Sequence, residues 1–126
     1  MNGDLTADQI EDVLLAGRIG RIGCSAEGRT YIVPVSYVYD GEAIYAHSAD
    51  GLKIRTMRAN PNVCFEVENV IDAAAWRTVV AWGKYEELSG DAAAEALRTL
   101  RRESEETRPI AYRIVLSEKS GRFERP

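Results

Sequence analysis

The chain has 126 residues, 45% of them hydrophobic and 29% charged, which is the make-up of a single ordinary globular domain spanning residues 1–126. A net charge of −4 argues against a nucleic-acid partner, which requires a basic face, and no apolar run approaches the ~20 residues of a membrane span. Met1-Asn2-Gly3-Asp4 has neither the basic nor the apolar part of an export signal, so a cytoplasmic protein with reduced, partly buried cysteines is expected.

Thr6 and Gln9 have the spacing of a capping box, and Leu5 with Ile10 that of a hydrophobic staple, so a helix starts here. Ile10, Val13 and Leu14 share one apolar stripe and Gly17 is placed to end it; the helix is expected to plug an opening of the core. Strand patterns follow. Residues 18–25 and 30–39 are joined by the hairpin signal Ala26-Glu27-Gly28-Arg29, and Asp40-Gly41 leads into residues 42–48. Three successive strands predict an antiparallel meander. Residues 30–39 are apolar on both parities, Ile32 and Val38 on one and Val33 and Val35 on the other, so both faces need a cover. Pro34 cannot donate to a ladder and marks an edge, a bulge, or a backbone turned toward a ligand.

Residues 52–59 read as a short helix bearing Lys53, Arg55 and Arg58, with Ile54 and Met57 inward, stopped by Asn60-Pro61. Residues 62–70 form a fourth strand, 71–75 a connection and 76–89 a fifth strand, in which Gly83 suggests a bulge or a close approach. Residues 91–106 predict an amphipathic helix with Ala93, Ala96, Leu97 and Leu100 on one stripe. Its charged run, including Arg101, Arg102, Glu103, Glu105 and Glu106, is a solvated face. Residues 110–116 are the last strand and 117–126 a polar tail. The sum is a mainly β protein, a small six-stranded antiparallel barrel with helical covers. Such a barrel fills its own interior, which leaves any ligand outside it, at an edge or between subunits.

The densest chemistry lies in Tyr45-Ala46-His47-Ser48-Ala49-Asp50-Gly51-Leu52-Lys53. A strand ends on the only histidine, passes through a small-residue turn and opens a helix with a lysine in its first turn. Helix starts leave amide N–H groups unpaired, and a nearby lysine turns that end into a phosphate seat. Cys24, Cys64 and one histidine are too few for a structural zinc site, and no local motif marks a Cys–His catalytic pair.

Five blocks carry a family resemblance: Tyr31-Ile32-Val33-Pro34-Val35-Ser36-Tyr37, Ile44 to Ala49, Gly51-Leu52-Lys53, Asn60-Pro61-Asn62-Val63-Cys64-Phe65, and Trp76 to Lys84. In order and spacing the chain resembles the flavin-binding split-barrel proteins related to pyridoxamine 5′-phosphate oxidase, in the nitroimidazole-reductase-like branch. The resemblance implies a six-stranded split barrel, a homodimer, and one FMN at each end of the subunit interface. It places Ile32, Val33, Pro34 and Val35 along the flavin ring through backbone contacts. His47 and Ser48 fall at the ribityl–phosphate end, with Ser48 as a hydroxyl donor and Lys53 on the phosphate. Arg77, Thr78 and Trp82 are expected from the other subunit. A catalytic role for His47 is implied by the branch. Leu52 departs from the family, which often has arginine there, and Arg55 or Arg58 is the candidate to compensate. The short tail without tryptophan argues against oxidation of vitamin B6. The implied activity is reduction of a small organic substrate such as a nitro compound or quinone, with electrons from NAD(P)H. The alternative is a module of the same fold that stores or senses flavin, deazaflavin or heme without turnover.

Overall fold

The computed structural model describes residues 1–103 and 108–126, residues 102 and 103 by their backbone alone. In chain order the elements are β1 (Asn2–Asp4), α1 (Ala7–Ala16), β2 (Ile19–Ala26), β3 (Arg29–Ser36), β4 (Val38–Tyr39) and β5 (Ala43–Ser48). They continue with α2 (Leu52–Ala59), β6 (Asn62–Asp72), β7 (Ala75–Glu87), α3 (Gly90–Glu103) and β8 (Ile110–Glu124). Eight strands make one sheet in the order β3-β2-β6-β7-β8-β5-β4, with β1 also on β8. Every pairing is antiparallel.

The expected meander is corrected by this order. The run 30–39 is not one strand: it breaks at Tyr37 into β3 and β4, which lie at opposite ends of the sheet. Two strands one residue apart in the chain can stand at opposite ends only if the sheet curls round until its ends meet. Among the described residues no ladder closes them, so the barrel is split, and Tyr37 is the stitch. Its amide donates to the Arg18 carbonyl at 3.0 Å, and its hydroxyl donates to the Leu14 carbonyl at 2.8 Å. Its ring meets Phe65 edge-on, with centroids 4.9 Å apart. Burial pushes the phenol up to about 12, so it remains a donor.

The interior holds Tyr112, Phe65, Leu14, Ile22, Ile44, Ile54, Met57 and Ile114, all under 2% exposed. These side chains place the core inside the curl. α1 plugs one opening as its stripe predicts: Ile10, Val13 and Leu14 are buried, each such side chain contributing roughly 1.5–3 kcal/mol. The capping box is complete, with Gln9 N–H donating to Thr6 Oγ1 at 3.2 Å and Thr6 N–H to Gln9 Oε1 at 2.9 Å. Gly17 ends the helix for want of space rather than through a left-handed turn. Its φ is −71°, and a Cβ there would lie 2.1 Å from the Tyr37 hydroxyl.

Two further boundaries differ. Residues 71–72 extend β6, and the polar tail is the second half of β8, paired with β7 and, at its end, with β1. That half reads as polar because Glu118, Ser120 and Arg122 point to water, while Gly121 on the other parity is buried against Leu5 and Ile10. Pro34 sits on the terminal strand of the sheet, in an unbroken register with β2, so it marks an edge and not a bulge. Gly83 does mark an irregularity: the β7–β8 register shifts there, and a Cβ would meet the Val115 carbonyl oxygen at 2.3 Å. α3 buries Ala96 and Leu100; Glu105 and Glu106, placed on its solvated face by the sequence, lie outside the described residues.

Candidate functional site

β5 ends at Ser48, and α2 begins after three intervening residues. Its N-cap, Gly51, offers no side chain, and the first intrahelical bond runs from the Arg55 amide to the Gly51 carbonyl at 3.0 Å. The amides of Leu52, Lys53 and Ile54 thus have no partner within the helix. Lys53 stands in this first turn, half-buried, and its ammonium makes no hydrogen bond or ion pair among the described residues. Burial, and then the Arg108 guanidinium, push its pKa below the ordinary lysine value. Half-buried unpaired charge is costly. An anion at the open helix end would remove that cost and accept from the free amides as well.

His47 flanks the same end. Its Nδ1 accepts from the Arg108 backbone N–H at 2.8 Å, so the neutral ring carries its proton on Nε2. Burial first, then Arg108 and Lys53, lower its pKa and keep it neutral. Ser48 is buried, and its hydroxyl donates to the Ala49 carbonyl at 2.7 Å, which fixes the turn and spends the proton expected for a phosphate. Of the two arginines set to compensate for Leu52, Arg58 is engaged by both Glu87 oxygens at 2.8 and 3.0 Å. Arg55 makes no side-chain hydrogen bond or ion pair among the described residues. It lines a groove of about 410 Å³ between α2 and the β2–β3 hairpin, together with Arg29, Tyr31 and Leu52.

A second predicted group lies on the outer face of the sheet. Ile32, Gly23, Cys64 and Trp82 are register neighbours across β3, β2, β6 and β7 and so form one row. Ile32 is 68% and Trp82 41% exposed, and they flank a shallow groove of about 410 Å³. One row on, Pro34 is exposed. Thr78 donates to Glu66 Oε2 at 2.9 Å, and Arg21 bridges Glu66 and Glu68 at 3.1 and 2.9 Å. Val33 and Val35 face the core, so only their backbone is offered, on a strand whose outer edge pairs with no other strand among the described residues. Arg77 lies on the opposite parity to Thr78 and lines a separate cavity of about 280 Å³ beside Leu5, Trp76 and Phe123.

One chain therefore brings together His47, Ser48 and Lys53, and separately Ile32, Pro34, Thr78 and Trp82, while Arg77 stands apart from both. The sequence reading missed Arg108, whose amide sets the His47 tautomer from 61 residues away. It also missed Arg29 and Tyr31 as groove residues. The only signal for these was two hairpin-end residues beside a helix whose position the sequence does not fix.

The chain thus combines a split antiparallel barrel with an uncapped basic helix start and an exposed apolar sheet face. The chain belongs to the pyridoxamine 5′-phosphate oxidase family, whose profile matches residues 6–123. An uncharacterized protein of Rhizobium meliloti is 33% identical over 84 residues, 67% of this chain and 56% of that protein, so the chain spans about half the length of that curated relative. A crystal structure of a FAD-binding protein from Mesorhizobium loti superposes with TM-score 0.82 at 33% identity, covering 98% of each chain. The structure of a candidate 5-nitroimidazole antibiotic resistance protein from Bacteroides thetaiotaomicron superposes with TM-score 0.80 at 19% identity, covering 98% of this chain and 87% of that one, a likeness of fold alone. No helix among the described residues is long and apolar enough to cross a membrane.

Proposed function

We propose that this protein is a flavin-dependent oxidoreductase that takes electrons from NAD(P)H and passes them to a small organic acceptor such as a nitro compound or quinone. The observation that carries this reading is Lys53: a half-buried ammonium with no hydrogen bond or ion pair among the described residues, in the first turn of an uncapped helix. FMN is the smallest flavin with the anionic end that this seat requires, and FAD shares that end. The described relative from Mesorhizobium loti, a FAD-binding protein, supports a flavin as the occupant. When bound, the flavin supplies the hydride chemistry.

The protein's own residues hold and shield. Lys53 and the α2 amides would donate to the phosphate oxygens, and His47 offers an Nε2–H donor beside them. Ile32 and Trp82 provide apolar surface that excludes water from a ring. In one chain these two groups are separate half-sites. A homodimer formed through the outer sheet face lets Thr78 and Trp82 of one copy close the site of the other, and we include that assembly in the proposal. The test is a visible spectrum of the purified protein with and without added FMN or FAD. A bound yellow chromophore, bleached by NAD(P)H and restored by a nitro compound or quinone, is expected. A protein that binds neither flavin refutes the reading; one that binds flavin but is never bleached is a storage module.

A further inference from the structure

The groove between α2 and the β2–β3 hairpin is not needed for the ring or for its first phosphate, yet it is built from residues of definite chemistry. Leu52, Arg55 and Thr56 form one helical stripe on its α2 wall. Arg29 and Tyr31 of β3 form the other, with Glu27 at the hairpin tip. Neither Arg29 nor Arg55 has a side-chain hydrogen bond or ion pair among the described residues. Two guanidiniums against one carboxylate leave the walls positive. Tyr31 is half-buried and Leu52 is 39% exposed, so an aromatic ring and an aliphatic side chain face the same space.

The groove also adjoins the anion seat. Leu52 is the residue before Lys53, and Tyr31 is the register partner of Cys24, the thiol near enough to bias the Lys53 charge. A ligand whose phosphate rests at Lys53 can therefore continue into the groove without leaving the protein surface.

We propose that this groove takes the adenylate half of FAD, so that the protein selects FAD over FMN; the inference rests on the flavin reading above. Arg29 and Arg55 match the second phosphate, where planar guanidiniums make charge-assisted bonds. Tyr31 and Leu52 offer the faces between which an adenine ring packs. Glu27 is an acceptor for ribose hydroxyls or the exocyclic amine. An oligoglutamate tail on a deazaflavin shares the anionic chemistry, but it has no ring for Tyr31 and Leu52.

The test is equilibrium titration of the flavin-free full chain, followed by flavin fluorescence, with FMN, FAD and a tailed deazaflavin, and with excess AMP as competitor. FAD is expected to bind about tenfold or more tighter than FMN, a difference of about 1.4 kcal/mol. AMP is expected to displace FAD while leaving FMN bound. The exposed variant Arg29→Ala is expected to lose most of the FAD preference and keep its FMN affinity within about twofold. Equal affinities, or a preference that survives undiminished in the variant, overturn the adenylate site and leave the flavin reading standing. Tighter binding of the deazaflavin than of FAD reassigns the groove to an acidic tail and overturns it too. Failure to bind any of the three removes the flavin reading itself.

Discussion

Replacing Lys53 by methionine keeps the length and apolar character of the stem and deletes only the charge. A hydrogen bond to a charged group is worth about 1.5–3 kcal/mol, so flavin affinity should fall about 10- to 150-fold. Stability of the flavin-free protein should move the other way or not at all, because the ammonium is half-buried and satisfies no partner among the described residues. The pH dependence follows from the lowered pKa. Between the folded value and the ordinary 10.5, the unfolded chain holds the proton and the folded chain does not. Stability of the flavin-free wild type therefore rises with pH across that window, and the methionine variant lacks this increment. Flavin binding needs the charged form, so wild-type affinity should decline as pH climbs through the depressed value. Fluorescence titrations and thermal melts over pH 7–11, wild type against variant, measure both. Unchanged flavin affinity, or a flavin-free variant that melts lower than wild type, would refute the reasoning.

Four other outcomes are expected. The lowered His47 pKa gives the folded state fewer protons than the unfolded state just below pH 6.5, so this group's contribution is intact above 6.5 and is lost as pH falls through the folded value. His47→Gln, whose side-chain oxygen can still accept the Arg108 amide, should flatten that stretch of a denaturant-midpoint profile, and His47→Ala should also lower stability throughout. Gly83→Ala drives a Cβ into the Val115 carbonyl and should cost about 1–3 kcal/mol in urea unfolding, with a disturbed β7–β8 register seen by amide exchange. Thr6→Ala removes one half of the α1 capping box and should cost about 1 kcal/mol, with Thr6→Ser nearly neutral. Trp82→Glu on the outer row should give a monomer by light scattering and weaken flavin binding in parallel; a variant that remains dimeric with wild-type affinity would exclude that face.

Local signals in the sequence were read correctly where the physics is local. The Thr6–Gln9 box, the inward Ile54 and Met57, the Asn60-Pro61 stop and the Gly83 irregularity each depend on residues within a turn or two. The α2 boundaries and the basic first turn followed from the same rules. The chain path between β3 and β5 was not legible, because a continuous apolar run looks the same whether it stays in one strand or pivots about a buried tyrosine. The second half of β8 was hidden by Glu118, Ser120 and Arg122, which are simply its wet parity. In the site, Lys53 and its helix end were visible as spacing, whereas the bond from Arg108 to His47 joins distant segments and leaves no periodic trace. Ser48 was identified by residue type, but which way its hydroxyl donates is a property of the turn and not of the serine.

The stitch at Tyr37 also bears on how the molecule assembles. The β2–β3, β4–β5 and β6–β7 pairs are hairpins that can zip from their own turns, while β2–β6 and β5–β8 join stretches far apart along the chain. Bringing such stretches together costs loop entropy before contacts repay it, which slows folding. The tyrosine is then a keystone, seated last: Tyr37→Phe, which forfeits only its grip on the Leu14 carbonyl, should speed unfolding and leave the refolding rate nearly unchanged in stopped-flow measurements.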